Sequence, residues 1–262
     1  MHPLVNIGVR AARQAGKIIL QAIDHLDKIT VEEKGVNDYV TQIDKAAEQE
    51  IIHLIRKAYP EHSILAEESG LLAADHSEIT WIIDPLDGTT NFIHGYPQFC
   101  VSIGIMLNQR LEHGIIFDPL RGELFTASRG RGAQLNERRI RVSTTTQLKY
   151  ALLGTGFPSR DPQVMNNYFQ LMQALFPISS GVRRGGSAAL DLAYIACGRL
   201  DGFWEYSLKP WDIAAGALLI QEAGGFVSSF RNTDDYLESG NVVAGTPKIH
   251  KALLEILAQH QA

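Results

Sequence analysis

The chain has 262 residues, 45% hydrophobic and 20% charged, enough for one large core or two closely packed halves. A net charge of −5 excludes broad electrostatic attraction to nucleic acid. No apolar run reaches the length that spans a bilayer, and Met1-His2-Pro3-Leu4 lacks the basic and apolar regions of a secretory signal. Cys100 and Cys197 lie in apolar segments, where free buried thiols are the default, so a reducing cytoplasmic setting is expected.

Residues 4–23 predict an amphipathic helix with Leu4, Ile7, Ala11, Ile18 and Ala22 inward. Residues 30–34 suggest a short strand before a loop at 35–38. A second helix is expected over 44–58, with Ala47, Ile51, Leu54 and Ala58 inward and Pro60 just beyond it. Residues 63–66 read as a strand that delivers Glu67 and Glu68 at its end. Runs at 99–107, 111–117, 124–127, 133–135 and 138–142 are joined by short connections and should pair as an antiparallel meander. Arg129-Gly130-Arg131-Gly132 is a turn whose arginines read as a solvated tip. From about residue 145 strands alternate with helices: strands at 151–155, 202–205, 226–228 and 241–244, helices at 162–175, 187–197, 211–222 and 247–258. No repeat or linker interrupts the chain. The pattern fits a single layered α+β unit with approximate halves 1–144 and 145–262.

The most informative stretch is Trp81-Ile82-Ile83-Asp84-Pro85-Leu86-Asp87-Gly88-Thr89-Thr90-Asn91. It opens as a strand apolar on both faces and ends in two carboxylates. Pro85 fixes φ and cannot donate to a ladder, so the backbone is expected to turn there. Gly88 and Thr89 then offer amides at the first turn of a helix, which suits an anion. An acidic Asp-Gly turn would explain Asp87-Gly88 alone. It does not explain two acids at the end of an apolar strand, which repel unless a cation neutralises them. Carboxylates for cations beside amides for an anion is the pairing that holds a phosphate through bridging metal ions.

The stretch WIIDPLDGTTNF resembles a signature of the inositol monophosphatase superfamily. Trp211-Asp212-Ile213-Ala214-Ala215-Gly216 through Glu222-Ala223-Gly224-Gly225 is similar to its other signature. The likeness extends to Asn37-Asp38-Tyr39-Val40-Thr41, Ala66-Glu67-Glu68-Ser69 and GSAALDLAYIACGRLDGFWE, the last most like the bacterial SuhB-type branch. The resemblance implies an αβαβα sandwich, the sugar phosphatase-like fold, with the site between the halves. It also implies two to three Mg²⁺ ions: Glu67, Asp84 and the Leu86 carbonyl at the first, Asp84, Asp87 and Asp212 at the second, and Glu67 at a weaker third. Glu67 and Thr89 would then activate water, with Asp44 bonded to that threonine. Asp87, Gly88, Thr89, Gly186, Ser187, Ala188, Glu205 and Asp212 would hold substrate, and Lys34 and Asp38 would belong to a loop over the site.

Plainer readings stand beside several of these residues. Glu67 beside Glu68 also suits a solvated turn, Asp44 a helix N-cap, Asp212 an N-terminal helix acid, and Glu205 an edge acid. Arg183 and Arg184 suit either substrate orientation or a subunit interface, and His94 beside Gly95 reads as a surface loop. The resemblance implies hydrolysis of a myo-inositol monophosphate, with inhibition by Li⁺ and a homodimer. Fructose 1,6-bisphosphate or a 3′-phosphorylated adenosine nucleotide are alternative substrates. A SuhB-like protein-binding role with the transcription machinery is the alternative from another class.

Overall fold

The computed structural model describes residues 2–35, 38–158 and 162–260, without the side chains of residues 28, 33–35 and 38. Helix α1 (Pro3–Ile23) begins with proline at N1, where a missing N–H costs nothing, and His2 accepts the Leu4 N–H. Its buried residues are Val5, Gly8, Val9, Ala11, Ala12, Ala15, Gly16 and Ile19, so Ala11 is inward as predicted while the rest of the stripe is turned from the predicted one. The reason is close approach: a Cβ on Gly16 would lie 2.6 Å from Phe117 Cε1. Small residues face the sheet, while Leu4, Ile7 and Ala22 pack at the flanks. The hairpin β1 (Val31–Gly35) and β2 (Asp38–Thr41) leads into α2 (Gln42–Ala58). There Thr41 is the N-cap and Asp44 completes a capping box, so the N-cap reading of Asp44 is one turn off. Ile55 takes the inward place predicted for Ala58, which is exposed.

Next come β3 (Ser63–Ala66), β4 (Gly70–Leu72), β5 (Ile79–Asp87) and the short helix α3 (Thr89–Ile93). The predicted meander follows as β6 (Cys100–Leu107), β7 (Arg110–Asp118), β8 (Glu123–Ser128), β9 (Gly132–Leu135) and β10 (Arg138–Ile140). Together these strands form one eight-stranded sheet of order β10-β9-β8-β7-β6-β5-β3-β4, antiparallel except for β3 beside β5. The turn after β8 is not simply solvated. Glu222 accepts the Gly130 and Gly132 N–H groups at 2.8 and 2.7 Å, and Arg129 Nε donates to the Leu111 carbonyl.

The second half contains β11 (Leu152–Thr155), α4 (Pro162–Leu175), β12 (Gly181–Arg183), α5 (Ala188–Ala196), β13 (Gly202–Glu205) and α6 (Pro210–Glu222). It ends with β14 (Phe226–Ser228), α7 (Tyr236–Ser239), β15 (Val242–Gly245) and α8 (Pro247–His260). Five strands make a second sheet of order β12-β11-β13-β15-β14.

Three apolar cores separate the layers. One lies between α1, α2 and the larger sheet, a second packs α5 and α6 between the two sheets, and a third lies under α4 and α8. The architecture is therefore the layered αβαβα sandwich. β5 shows why the larger sheet sits in the middle. Trp81 and Ile83 enter the first core and Ile82 the second, so both faces of the strand are dry. Each such side chain contributes roughly 1.5–3 kcal/mol by leaving water.

Candidate active site

β3 and β5 run parallel with Ala66 opposite Ile83, so β3 releases its chain beside the point where β5 reaches Asp84. The Glu67 N–H extends the pairing to the Ile83 carbonyl at 3.1 Å. Glu67 and Asp84 therefore emerge side by side.

The backbone does not turn at Pro85 as expected; β5 continues to Asp87. Its partners on β6 are Ser102 for Asp84 and Cys100 for Asp87, so β5 carries one extra residue there. That β-bulge accommodates the proline, which has no N–H to give. It also resets the alternation. Residues three apart would face opposite sides of a regular strand, whereas here both carboxylates face one side. The Leu86 N–H turns to Asp84 Oδ1 at 2.9 Å. Gly88 follows at φ 97°, a left-handed conformation that glycine adopts freely, and a Cβ there would lie 2.8 Å from the Gln98 carbonyl.

Asp212 comes from the first turn of α6, where its Oδ2 accepts the Lys209 N–H at 2.7 Å. Carboxylate oxygens of Asp84, Asp87 and Asp212 lie within 4.8 Å of one another. No described ion pair involves any of them. Burial, then repulsion from Glu67, Asp87 and Asp212, pushes the Asp84 carboxyl well above the usual range. Burial, then Asp87, pushes Asp212 up to about 8. Burial also raises Asp87, although Ser187 and the start of α5 hold its anionic form. Three acids that share a site and lack a positive partner fit a hard divalent cation, which takes oxygen ligands at close range.

Asp87 is bound asymmetrically. Its Oδ2 accepts the Ser187 hydroxyl at 2.6 Å and the Ala189 N–H at 2.8 Å. The hydroxyl expected to meet substrate thus already binds an acid of the cluster. Asn91 Nδ2 sits 3.0 Å from the Gly185 carbonyl, which ties the same turn to α3.

Asp44 reaches Thr89 from α2. Its Oδ2 accepts the Thr41 N–H at 2.8 Å, and its Oδ1 accepts the Thr89 hydroxyl at 2.7 Å. The Leu86 carbonyl lies 3.0 Å from the same hydroxyl. Thr89 Oγ has one proton for these two acceptors and keeps a lone pair for another donor.

These groups open on a cleft of about 430 Å³, lined by Glu67, Asp87, Gly88, Thr89, Arg184, Gly186, Ser187, Ala188, Glu205 and Asp212. Burial, then repulsion from Asp212, raises the Glu205 carboxyl well above its ordinary value, which fits a cleft acid better than an edge acid. Both arginines are exposed: Arg184 lies over the Phe157 ring at 5.1 Å and lines the cleft, whereas Arg183 bends back to the Val182 carbonyl. The side chains of Lys34 and Asp38 lie outside the described residues. His94 is exposed, as expected.

Sequence reasoning missed Tyr39, Phe157, Tyr206 and Asp191, which also line the cleft. Asp191 left a signal: it is the lone acid in the apolar run AALDLAYIA, and it is 3% exposed. Burial, then repulsion from Asp87, raises its carboxyl well above normal.

Residues 1–262 match the model of the inositol monophosphatase family. A Pseudomonas aeruginosa protein named Nus factor SuhB is 54% identical over 99% of this chain and 97% of its own length. The crystal structure of the extragenic suppressor protein suhB from Bartonella henselae superposes with a TM-score of 0.95 at 41% identity, covering 98% of each chain. The structure of an inositol monophosphatase from Anabaena superposes at 0.88 with 42% identity, covering 98% of this chain and 95% of that one. With a full-length family match, relatives at this identity and an acid cluster at the strand ends, the chain belongs to the inositol monophosphatase family.

Proposed function

We propose that the chain is a Mg²⁺-dependent phosphomonoesterase that hydrolyses myo-inositol monophosphate to myo-inositol and phosphate. The observation that carries this reading is the Asp84, Asp87 and Asp212 cluster, of which Asp87 and Asp212 line one cleft together with Thr89, itself bonded to Asp44. Glu67, Asp84 and the Leu86 carbonyl would hold a first ion, Asp84, Asp87 and Asp212 a second, and Glu67 would contribute to a third. Bound Mg²⁺ supplies charge neutralisation of the phosphate, activation of water and stabilisation of the leaving alkoxide.

The chain's own groups do the rest. Thr89 Oγ, donating its proton to Asp44 Oδ1, accepts a hydrogen bond from the attacking water, and Glu67 orients that water from the end of the parallel strand β3. The Gly88 and Thr89 amides meet phosphate oxygens at the start of α3. Gly186, Ala188 and Glu205 surround the polyol. Asp87 and Asp212 would meet its hydroxyls, while Ser187 steadies Asp87.

A substrate panel tests this reading. Purified protein in Mg²⁺ should release phosphate from inositol 1-phosphate faster than from fructose 1,6-bisphosphate or adenosine 3′,5′-bisphosphate. A preference for either alternative would move the chain to another substrate within the family. We also infer a homodimer inhibited by Li⁺, as the resemblance implies, in the reducing cytoplasm that free Cys100 and Cys197 suit.

A second role draws support from the name Nus factor borne by the Pseudomonas relative. On that reading the chain also binds a protein of the transcription machinery. Capture of that machinery from lysate by catalytically silent protein would separate this role from hydrolysis.

A further inference from the structure

Helix α2 carries a second buried acid that the proposed chemistry does not use. Glu48 stands one turn after Asp44 on the same helix face and is 1% exposed. Its Oε2 accepts the Glu68 N–H at 2.8 Å, and its Oε1 accepts the Ser69 hydroxyl at 2.5 Å. Glu48 does not line the cleft.

Glu68 and Ser69 are the residues that carry the chain away from Glu67. Just before them, the Glu67 N–H is fixed to the Ile83 carbonyl at 3.1 Å. Glu67 therefore sits between two anchors, a sheet hydrogen bond on its own amide and the Glu48 carboxylate on the next amide. A buried acid with two donors is satisfied, and that alone accounts for its burial. Burial does not account for the pairing with Asp44. The two acids, four residues apart on a rigid helix, each grip a different segment that builds the cleft: Asp44 grips Thr89 and Glu48 grips the turn after Glu67.

We propose that Glu48 is a positioning residue that sets the Glu67 carboxylate for metal through the turn at Glu68 and Ser69. This rests on the proposed metal role of Glu67. Groups that orient a metal ligand typically change metal affinity by about 10–100-fold when removed. A purely structural acid would lower thermal stability and leave the affinity alone.

The test is Mg²⁺ titration by calorimetry on wild type, Glu48→Gln and Ser69→Ala, each well below its unfolding temperature. Glu48→Gln should raise the Mg²⁺ Kd by about tenfold or more. Ser69→Ala, which removes one contact, should raise it by less, and KM for substrate at saturating Mg²⁺ should stay near the wild-type value in both. Wild-type Mg²⁺ affinity in both variants overturns the proposal, whatever their stability. Should Glu48→Gln fail to fold, Ser69→Ala decides alone. Wild-type protein that binds no Mg²⁺ overturns the metal reading of the cleft and this proposal with it.

Discussion

Two regions of the molecule treat buried acids in opposite ways. At the end of β7, Asp118 is fully buried and meets the Arg121 guanidinium at 2.7 Å and the Arg121 N–H at 2.9 Å. In the cleft, Asp84 is 2% exposed, yet its neighbours include Glu67, Asp87 and Asp212. The first arrangement is complete within the chain. In the second, Asp84 and Asp212 have no positive partner among the described residues, so these acids hold protons or take positive charge from outside, because a buried carboxylate without a partner is costly. The contrast separates an acid that serves the fold from acids that serve a ligand.

Removing the metal should give the largest effect. EDTA should abolish phosphate release and added Mg²⁺ restore it; a rate that survives thorough chelation would erase the contrast. Next in size is Asp87→Asn, which keeps shape and removes charge. Its kcat should fall by roughly 10²-fold or more. Its unfolding temperature without metal should not fall, since one of several mutually repelling acids is gone. Near-normal turnover would show that Asp87 is not a ligand.

Asp118→Asn should behave in reverse. It breaks a charge-assisted pair whose arginine is partly exposed, so urea unfolding should register a loss of roughly 1–2 kcal/mol. Mg²⁺ affinity should not change. A weakened Mg²⁺ titration in that variant would mean that the two regions are energetically linked.

The gentlest probe is pH. The raised carboxyls of Asp84, Asp87 and Asp212 keep protons in the metal-free folded state that the unfolded chain has already released. Stability from these groups is therefore fully present below the ordinary carboxylate range near 3.8 and is lost as pH rises, for Asp212 up to about 8. In EDTA the melting temperature should fall from pH 5 to pH 8, and in Mg²⁺ the slope should flatten because the bound cation stabilises the charged forms. A fall of equal slope in both conditions would remove the cleft acids as its source.

Some of this was legible in the residues alone. Asp84 and Asp87 stand three residues apart at the end of an apolar strand, so their repulsion follows from local chemistry. The apolar run of 81–83 and the short connections of the meander likewise depend on residues close in the chain. The pairing of Asp44 with Thr89 came from family resemblance, since no spacing rule joins residues 45 apart. Tertiary structure alone decided the rest. It converted the expected turn at Pro85 into a bulge, because β6 remained available as a partner beyond it. It turned α1 so that glycine and alanine face Ile115 and Phe117, a choice set by helix-to-sheet distance more than by hydrophobicity. It bound Ser187 to Asp87 across 100 residues and Glu48 to Ser69 across 21. Sequence periodicity reports which face of an element avoids water, whereas the partner of a polar group depends on which distant element the fold brings within hydrogen-bonding reach.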